Sequence, residues 1–383
     1  MAYYILNCWF HKVLIWEGIK MTEKKYHVGI VGLSGITSGT DGALERGNIG
    51  QDSQSPLRRK LITSHSACLS LMSNIEVVGY CDLSDTRLDS YKNIWGGKWP
   101  LAKPYHDYKD MLDKENIDIL TVATGDNKHS QIVIDGANSG VKGIFCEKPL
   151  STTVEDSNEM LKACEFNGVY ISVGHTRRWL PLYNKVREVI RTGLIGKLTT
   201  IEAFQGGPRA MMFRNGTHII DGICFFAESE PSKVVGILED GFDDWDVYKG
   251  DGGKLPENEP SVSGIILFKN GIRGFYNATK ESYPNAPSLR ITGSLGQIEF
   301  SLQGGSASMT VVHPVTNESS VQSINPDNFQ SANYVAGYEE MIRLIENGGI
   351  GIGSGEQAKW VVQILVGFLD SQNQGSKLVD VRK

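Results

Sequence analysis

Close cysteine pairs, a basic field and a membrane-length apolar run are all missing from this chain. Its six cysteines, Cys8, Cys68, Cys81, Cys146, Cys164 and Cys224, are scattered, which is not the spacing of a disulfide framework or a zinc cluster and predicts reduced thiols, no metal site and a cytoplasmic setting. Formal net charge is −6 at pH 7, so no overall positive potential draws in nucleic acid or an anionic bilayer, and a small-molecule partner is expected. Residues 1–20 are apolar, yet they lack the basic n-region and cleavage site of a leader and are too interrupted to span a bilayer. Residues 1–24 therefore read as an extension outside the fold, with the functional chain expected to begin at Met21.

At roughly 100–200 residues per domain, 383 residues favour two domains. Short apolar runs at 26–32, 74–82, 116–124, 141–147 and 168–174 have the pattern of strands buried on both faces. Helical patterns lie between them, with Asp107 as a cap, Gly140 as a stop, and Thr152 with Glu155 as a capping box. Alternation at this spacing predicts βαβ units, hence an α/β, doubly wound parallel sheet of the Rossmann type over residues 25–175. A polar, Gly/Ser-rich insertion at 38–63 interrupts it. From 176 to 383 the grammar becomes strand-like runs separated by turns, closed by two helices, the second started by Ser354 and Gln357 as another capping box. That predicts an α+β domain with a large, mostly antiparallel sheet.

The first turn reads GIVGLSGITSG, with Gly32, Ser34, Gly35 and Ile36 at the end of the first strand. A dinucleotide needs glycine there because the backbone must approach the pyrophosphate; an ordinary turn is the competing reading. Asp82 ends the second strand, where an acid accepts the ribose hydroxyls and repels a 2′-phosphate. No arginine follows at once in DLSD, which favours NAD over NADP. CEKPL (146–150) ends the fourth strand. Pro149 bars Lys148 from helical geometry and holds it extended at the carboxyl edge of the sheet, where a desolvated ammonium can exchange protons with a hydroxyl. Alternation turns Glu147 the other way. On the pentapeptide alone, a surface lysine before a turn is an equal reading.

Together, the Gly-rich turn, Asp82, TGDNKH (124–129), CEKPL, VGHTRRWLP (173–181), NGTHIID (215–221) and the GSLGQIEF hairpin resemble the glucose-fructose oxidoreductase/inositol dehydrogenase family (Gfo/Idh/MocA) from about residue 25 to 380. The resemblance implies a Rossmann domain followed by a substrate-binding domain whose open sheet forms homodimers or homotetramers, a nicotinamide cofactor, and a sugar, cyclitol or similar polyol substrate. It implies that Lys148 contacts the reacting oxygen, that Glu147, Pro149, Thr124, Asp126 and His129 belong to the cofactor loops, and that His218 is the principal acid/base. Asp221, one helical turn on, shares a face with His218 and is expected to orient it or bind substrate. His129 also reads as a structural residue at a helix start.

Two departures stand out. Arg214 occupies the place, four residues before the histidine, where many relatives carry aspartate, and the loop usually reading Thr-Pro-Asn-x-x-His carries Gly125 and Asp126. Arg177, Arg178, Arg209 and Arg214 fall in segments that the family pattern brings to the cleft, with Arg178 and Arg214 as substrate ligands for an anionic sugar derivative; structural ion pairs are the alternative. The acid-rich segment 240–251 lacks calcium-loop spacing and reads as a solvated loop. The expected activity is NAD(H)-dependent interconversion of a secondary hydroxyl and a ketone. NAD-assisted glycoside cleavage without net redox change and a non-catalytic NAD-binding sensor are the alternatives.

Overall fold

The computed structural model describes residues 24–39, 64–250, 255–283, 287–301, 305–326 and 332–383. The expected N-terminal extension, apart from Lys24, the Met21 start and most of the 38–63 insertion lie outside them.

The first sheet is wholly parallel, in the order β3-β2-β1-β4-β5-β6. Its strands are β1 (Tyr26–Val31), β2 (Ile75–Cys81), β3 (Lys103–Tyr105), β4 (Ile119–Val122), β5 (Gly143–Cys146) and β6 (Tyr170–Val173). Every residue of β4 and β5 is buried, because helices cover both faces of such a sheet. The strand absent from the sequence reading is β3. It is short, carries exposed Lys103 and Pro104, and lies at the edge, where a residue without an N–H is tolerated. The helices are α1 (Gly35–Ser38), α2 (His65–Ser70), α3 (Asp85–Trp95), α4 (Tyr108–Lys114), α5 (His129–Asn138), α6 (Val154–Asn167), α7 (Pro181–Arg191), α8 (Thr217–Ala227), α9 (Asn333–Asn347) and α10 (Gly355–Asn373).

Local capping follows the sequence with two corrections. Asp107 caps α4 through the Lys109 N–H, and Gly140 takes φ +92° after α5. The cap of α6, however, is Thr153, bonded to the Asp156 N–H, one residue beyond the expected Thr152–Glu155 box. Ser354 stands at the start of α10 without a side-chain cap bond, and the Gln357 oxygen accepts from Arg178 instead.

The second sheet has nine strands in the order β14-β13-β12-β11-β7-β10-β9-β8-β15. They are β7 (Leu198–Gly206), β8 (Pro231–Leu238), β9 (Val262–Phe268), β10 (Arg273–Thr279), β11 (Ser288–Gly293), β12 (Gly296–Ser301), β13 (Ala307–Val312), β14 (Ser319–Ile324) and β15 (Val379–Asp380). Among the described residues, only β7 and β10 pair in parallel. Helices α8 and α10 press Ile219, Ile223, Leu365 and Phe368 onto one face of it. The fit is close: a Cβ on Gly264 would lie 2.5 Å from the Phe368 ring. Helix α9 crosses back to the parallel sheet, burying Tyr334, Tyr338 and Met341 beside Phe145.

β1 lies between β2 and β4, where chain order reverses, and this switch point is where open α/β sheets leave a crevice. Gly32 sits there at φ +91°, and a Cβ on it would meet the Ala123 carbonyl oxygen at 2.5 Å. Gly32→Ala is expected to cost about 1–3 kcal/mol of backbone strain and to lower the melting temperature by several degrees in a thermal scan. An unchanged melting temperature would show that the turn tolerates another backbone.

Candidate active site

The glycine turn is held from below by Asp82. Its carboxylate, 8% exposed, accepts from the Leu33 N–H at 2.9 Å and the Ser84 N–H at 3.0 Å. Arg87, on the first turn and a half of α3, reaches the same carboxylate at 3.4 Å. The arginine that DLSD lacks is thus supplied by the helix that follows. Ser34 precedes α1 without capping it. Gly35 borders open space and Ile36 is exposed. This exposed turn, its close-packed glycine and the acid beneath it suit a dinucleotide laid across the switch point.

At the end of β5 the Lys148–Pro149 bond is cis. The Lys148 ammonium is half-buried and donates to the Arg214 carbonyl at 3.0 Å. Burial lowers its pKa, the carboxylates of Glu147 and Asp126 oppose that, Arg214 adds to it, and the result lies below an ordinary lysine. Glu147 and His129, expected in the cofactor loops, have their side chains turned inward onto protein partners. Glu147 is 6% exposed and bonded to His65 and Tyr334. His129 is fully buried and its Nδ1 meets the Pro149 carbonyl at 3.0 Å, so it holds the turn. Thr124 and Asp126 are half-buried in the loop after β4.

His218 starts α8 beside a second histidine that the sequence did not single out. The rings of His175 and His218 stand edge to face with centroids 6.0 Å apart. Burial, then the positive charges of Arg177 and Lys148, push His218 well below the usual histidine range, and its Nδ1 is buried without a hydrogen-bond partner. His175 bonds Thr217 Oγ1 through Nε2 at 3.0 Å, and burial lowers it to about 4 although Asp221 pulls the other way. Both rings are therefore neutral near pH 7.

Asp221 and Arg178 were expected to serve His218 and the substrate; they serve each other. Arg178 Nε donates to Asp221 Oδ1 and Oδ2 at 2.8 and 3.0 Å, and its Nη1 donates to the Ile352 carbonyl and to Gln357. Both side chains are almost wholly buried. Asp221 faces His175, 3.4 Å from its Nδ1. Arg209 is exposed in the turn after β7. Arg177 and Arg214 remain at the site, since their charges act on His218 and Lys148.

The segment 240–250 keeps its acids Asp240, Asp243, Asp244 and Asp246 exposed, as expected, but is anchored at its C-terminal end. Tyr248 is buried, stacks on Phe213 at 4.1 Å and donates to Asp126, while the Asn127 N–H bonds the Gly250 carbonyl at 3.1 Å. Glu259 accepts from the Phe213 and Arg214 N–H groups, fixing the turn that carries Arg214; burial raises its pKa. Phe242, Trp245 and Tyr248, spaced three apart among acids, were the legible signal of an anchored loop.

Two family models match in succession: "Oxidoreductase family, NAD-binding Rossmann fold" over residues 26–175, and "GFO/IDH/MocA C-terminal domain" over 183–299. The chain belongs to the GFO/IDH/MocA family. It is 31% identical over 155 residues to D-apiose dehydrogenase of Paraburkholderia graminis, covering 40% of this chain and 38% of that protein. It is 30% identical over 135 residues to myo-inositol 2-dehydrogenase of Thermotoga maritima, covering 35% and 39%. The matched stretch thus spans about two-fifths of each of these curated relatives. The fold is that of levoglucosan dehydrogenase in complex with NADH and L-sorbose, with TM-score 0.72 and 18% identity over 94% of this chain and 100% of that one. The Arg178–Asp221 pair is closed off from solvent, its side chains 2% and 1% exposed.

Breaking that pair from one side strands a charge. Arg178→Met is expected to lose about 3–5 kcal/mol in urea unfolding, and Arg178→Met combined with Asp221→Leu to regain most of it. A double variant no more stable than the single one would mean that the bonds to Ile352 and Gln357, not the ion pair, hold the segment.

Proposed function

We propose that the protein is an NAD(H)-dependent oxidoreductase that interconverts a secondary hydroxyl and a ketone on a sugar or sugar-derived substrate, with an anionic derivative favoured. The observation that carries this reading is the meeting of a desolvated lysine and a desolvated, neutral histidine beside the β1–β4 switch point. The sugar and inositol dehydrogenases among its relatives support it. The turn at Gly32–Ile36, Asp82 and the Thr124–Asp126 loop would hold the cofactor. When bound, the cofactor accepts or returns the carbon-bound hydrogen as hydride.

The chain supplies the rest. Lys148, held by the Arg214 carbonyl, steadies negative charge developing on the substrate oxygen. His218, with an unprotonated ring, takes the hydroxyl proton. A carboxylate or phosphate on the substrate would meet Arg177 and Arg214, offset the positive charges that depress His218, and strengthen it as a base.

The test is absorbance at 340 nm on addition of NAD with pooled sugars, cyclitols, uronates and sugar phosphates. A rise is expected, with Lys148→Met and His218→Asn each reducing the rate about 10²–10⁴-fold. Because burial holds His218 well below the usual histidine range, the acid limb of kcat/KM for oxidation is expected below that of an ordinary histidine. A flat signal while NAD binds would move the reading to NAD-assisted cleavage or sensing.

Cofactor preference follows from the Asp82–Arg87 pair. A carboxylate already bonded to two backbone N–H groups stays in place and repels a 2′-phosphate, so NAD is preferred, while Arg87 lends residual tolerance of NADP. Arg87→Ala is expected to leave kcat/KM for NAD within about twofold and to lower that for NADP about tenfold or more, on the scale of a charge-assisted bond. Equal losses with both cofactors would assign Arg87 a purely structural part.

A further inference from the structure

Glu147 lies next to Lys148 but points the other way, into a closed box. His65 from α2 donates through Nε2 to Glu147 Oε1 at 3.1 Å, and the Tyr334 hydroxyl from α9 donates to the same oxygen at 2.6 Å. The Lys148 N–H reaches Oε2 at 3.3 Å. Gly174 closes the remaining side: a Cβ there would stand 2.7 Å from Oε1. The His65 ring lies 4.3 Å from Tyr334 and edge-on to Phe145 and Tyr338.

The hydrogen positions in this box are determined by chemistry. An ionised carboxylate can only accept, so Nε2 of His65 carries the hydrogen. His65 Nδ1 meets the Tyr338 hydroxyl at 2.8 Å, and that hydroxyl also shares a hydrogen bond with Thr121 Oγ1 at 2.8 Å. The chain runs from β4 through α9 and α2 to the turn after β5, and every polar atom in it has a partner. Burial alone would raise the pKa of Glu147, yet the His65 hydrogen bond, the Lys148 charge and the Tyr334 bond hold it down at about 2.

We propose that Glu147, hydrogen-bonded by His65 and Tyr334, is a positioning residue for Lys148: it fixes the main chain of the turn and supplies the buried carboxylate against which the ammonium is set. This rests on Lys148 being the reactive lysine of the proposed function, but the box stands on geometry whatever the substrate. Lys148 is faced by Glu147 on its own turn, Asp126 after β4, and Arg214 and Glu259 from the second domain's loops. Tyr248 is bonded to Asp126, and two backbone N–H groups to Glu259. Glu147 is the strongest of the charges that oppose desolvation of the ammonium, and its carboxylate is the one tied to α9. His65 and Tyr334 act on Lys148 through it, without touching a ligand.

The experiment is competitive acetylation of the full chain with trace acetic anhydride across pH 6–11, reading Lys148 and the exposed reference Lys142 by peptide mass spectrometry. In Glu147→Gln, the pH of half-labelling of Lys148 is expected to fall by about one to three units, the range for loss of a neighbouring opposite charge, while Lys142 stays put. Glu147→Asp, which keeps the charge, is expected to return most of the way. An unchanged Lys148 midpoint in folded Glu147→Gln would overturn the proposal. Should that variant not fold, Tyr334→Phe carries the test: amide exchange at Cys146, Glu147, Lys148 and Leu150 is expected to quicken about tenfold, as for loss of roughly 1.4 kcal/mol, with β1 and β2 unaffected, and no change there would overturn the proposal equally. Labelling and exchange need no turnover, so a failure of the dehydrogenase reading shows separately in the absorbance assay.

Discussion

One buried ion pair determines how this site is put together. Arg178 and Asp221 come from a 3₁₀ turn after β6 and from the middle of α8, and the guanidinium also takes the Ile352 carbonyl and Gln357 at the start of α10. Two charges out of water survive only when their bonds are satisfied, and here that requirement brings three distant segments to one point. His175, three residues before Arg178, is consequently set against Asp221, and Thr217 and His218 follow from the placement of α8. The pair that resembled substrate machinery in the sequence is the frame on which the machinery is mounted.

Around that frame the two halves of the chain share their interior. Helix α9 arrives late in the sequence but packs into the core of the first sheet, and the 240–250 segment from the second half reaches the loop after β4 through Tyr248 and Gly250. Lys148 from the first half hydrogen-bonds the Arg214 carbonyl of the second. Exclusion of water at this boundary is what shifts the titration of Lys148, His175 and His218 together. All three have their charged forms disfavoured first by burial, and nearby charges then separate them.

The elements that the sequence made legible are those governed by nearest neighbours along the chain. Buried parallel strands read as unbroken apolar runs, Gly32 and Gly140 announced backbone conformations closed to other residues, and Pro149 marked the end of β5. The elements that escaped have no local signature. β3 is three residues long and exposed, and β14 is an edge strand with one buried residue, so neither shows alternation. The cap of α6 moved by one residue because Thr152 and Thr153 are chemically alike and only the backbone chooses between them.

At the site the same division holds. The sequence by itself determined the inventory: a Rossmann turn with an acid at the end of β2, a lysine fixed by proline at the sheet's carboxyl edge, and a histidine at a helix start. Only the tertiary structure decided which charges meet. It joined Arg178 to Asp221, brought Arg87 to Asp82, enclosed Glu147 between His65 and Tyr334, and placed His175 beside His218. The physical reason is one of range. Propensity, capping and glycine sterics act over a few residues, whereas pairing of buried polar groups acts through space at separations of 43 residues for Arg178 and Asp221 and 187 for Glu147 and Tyr334.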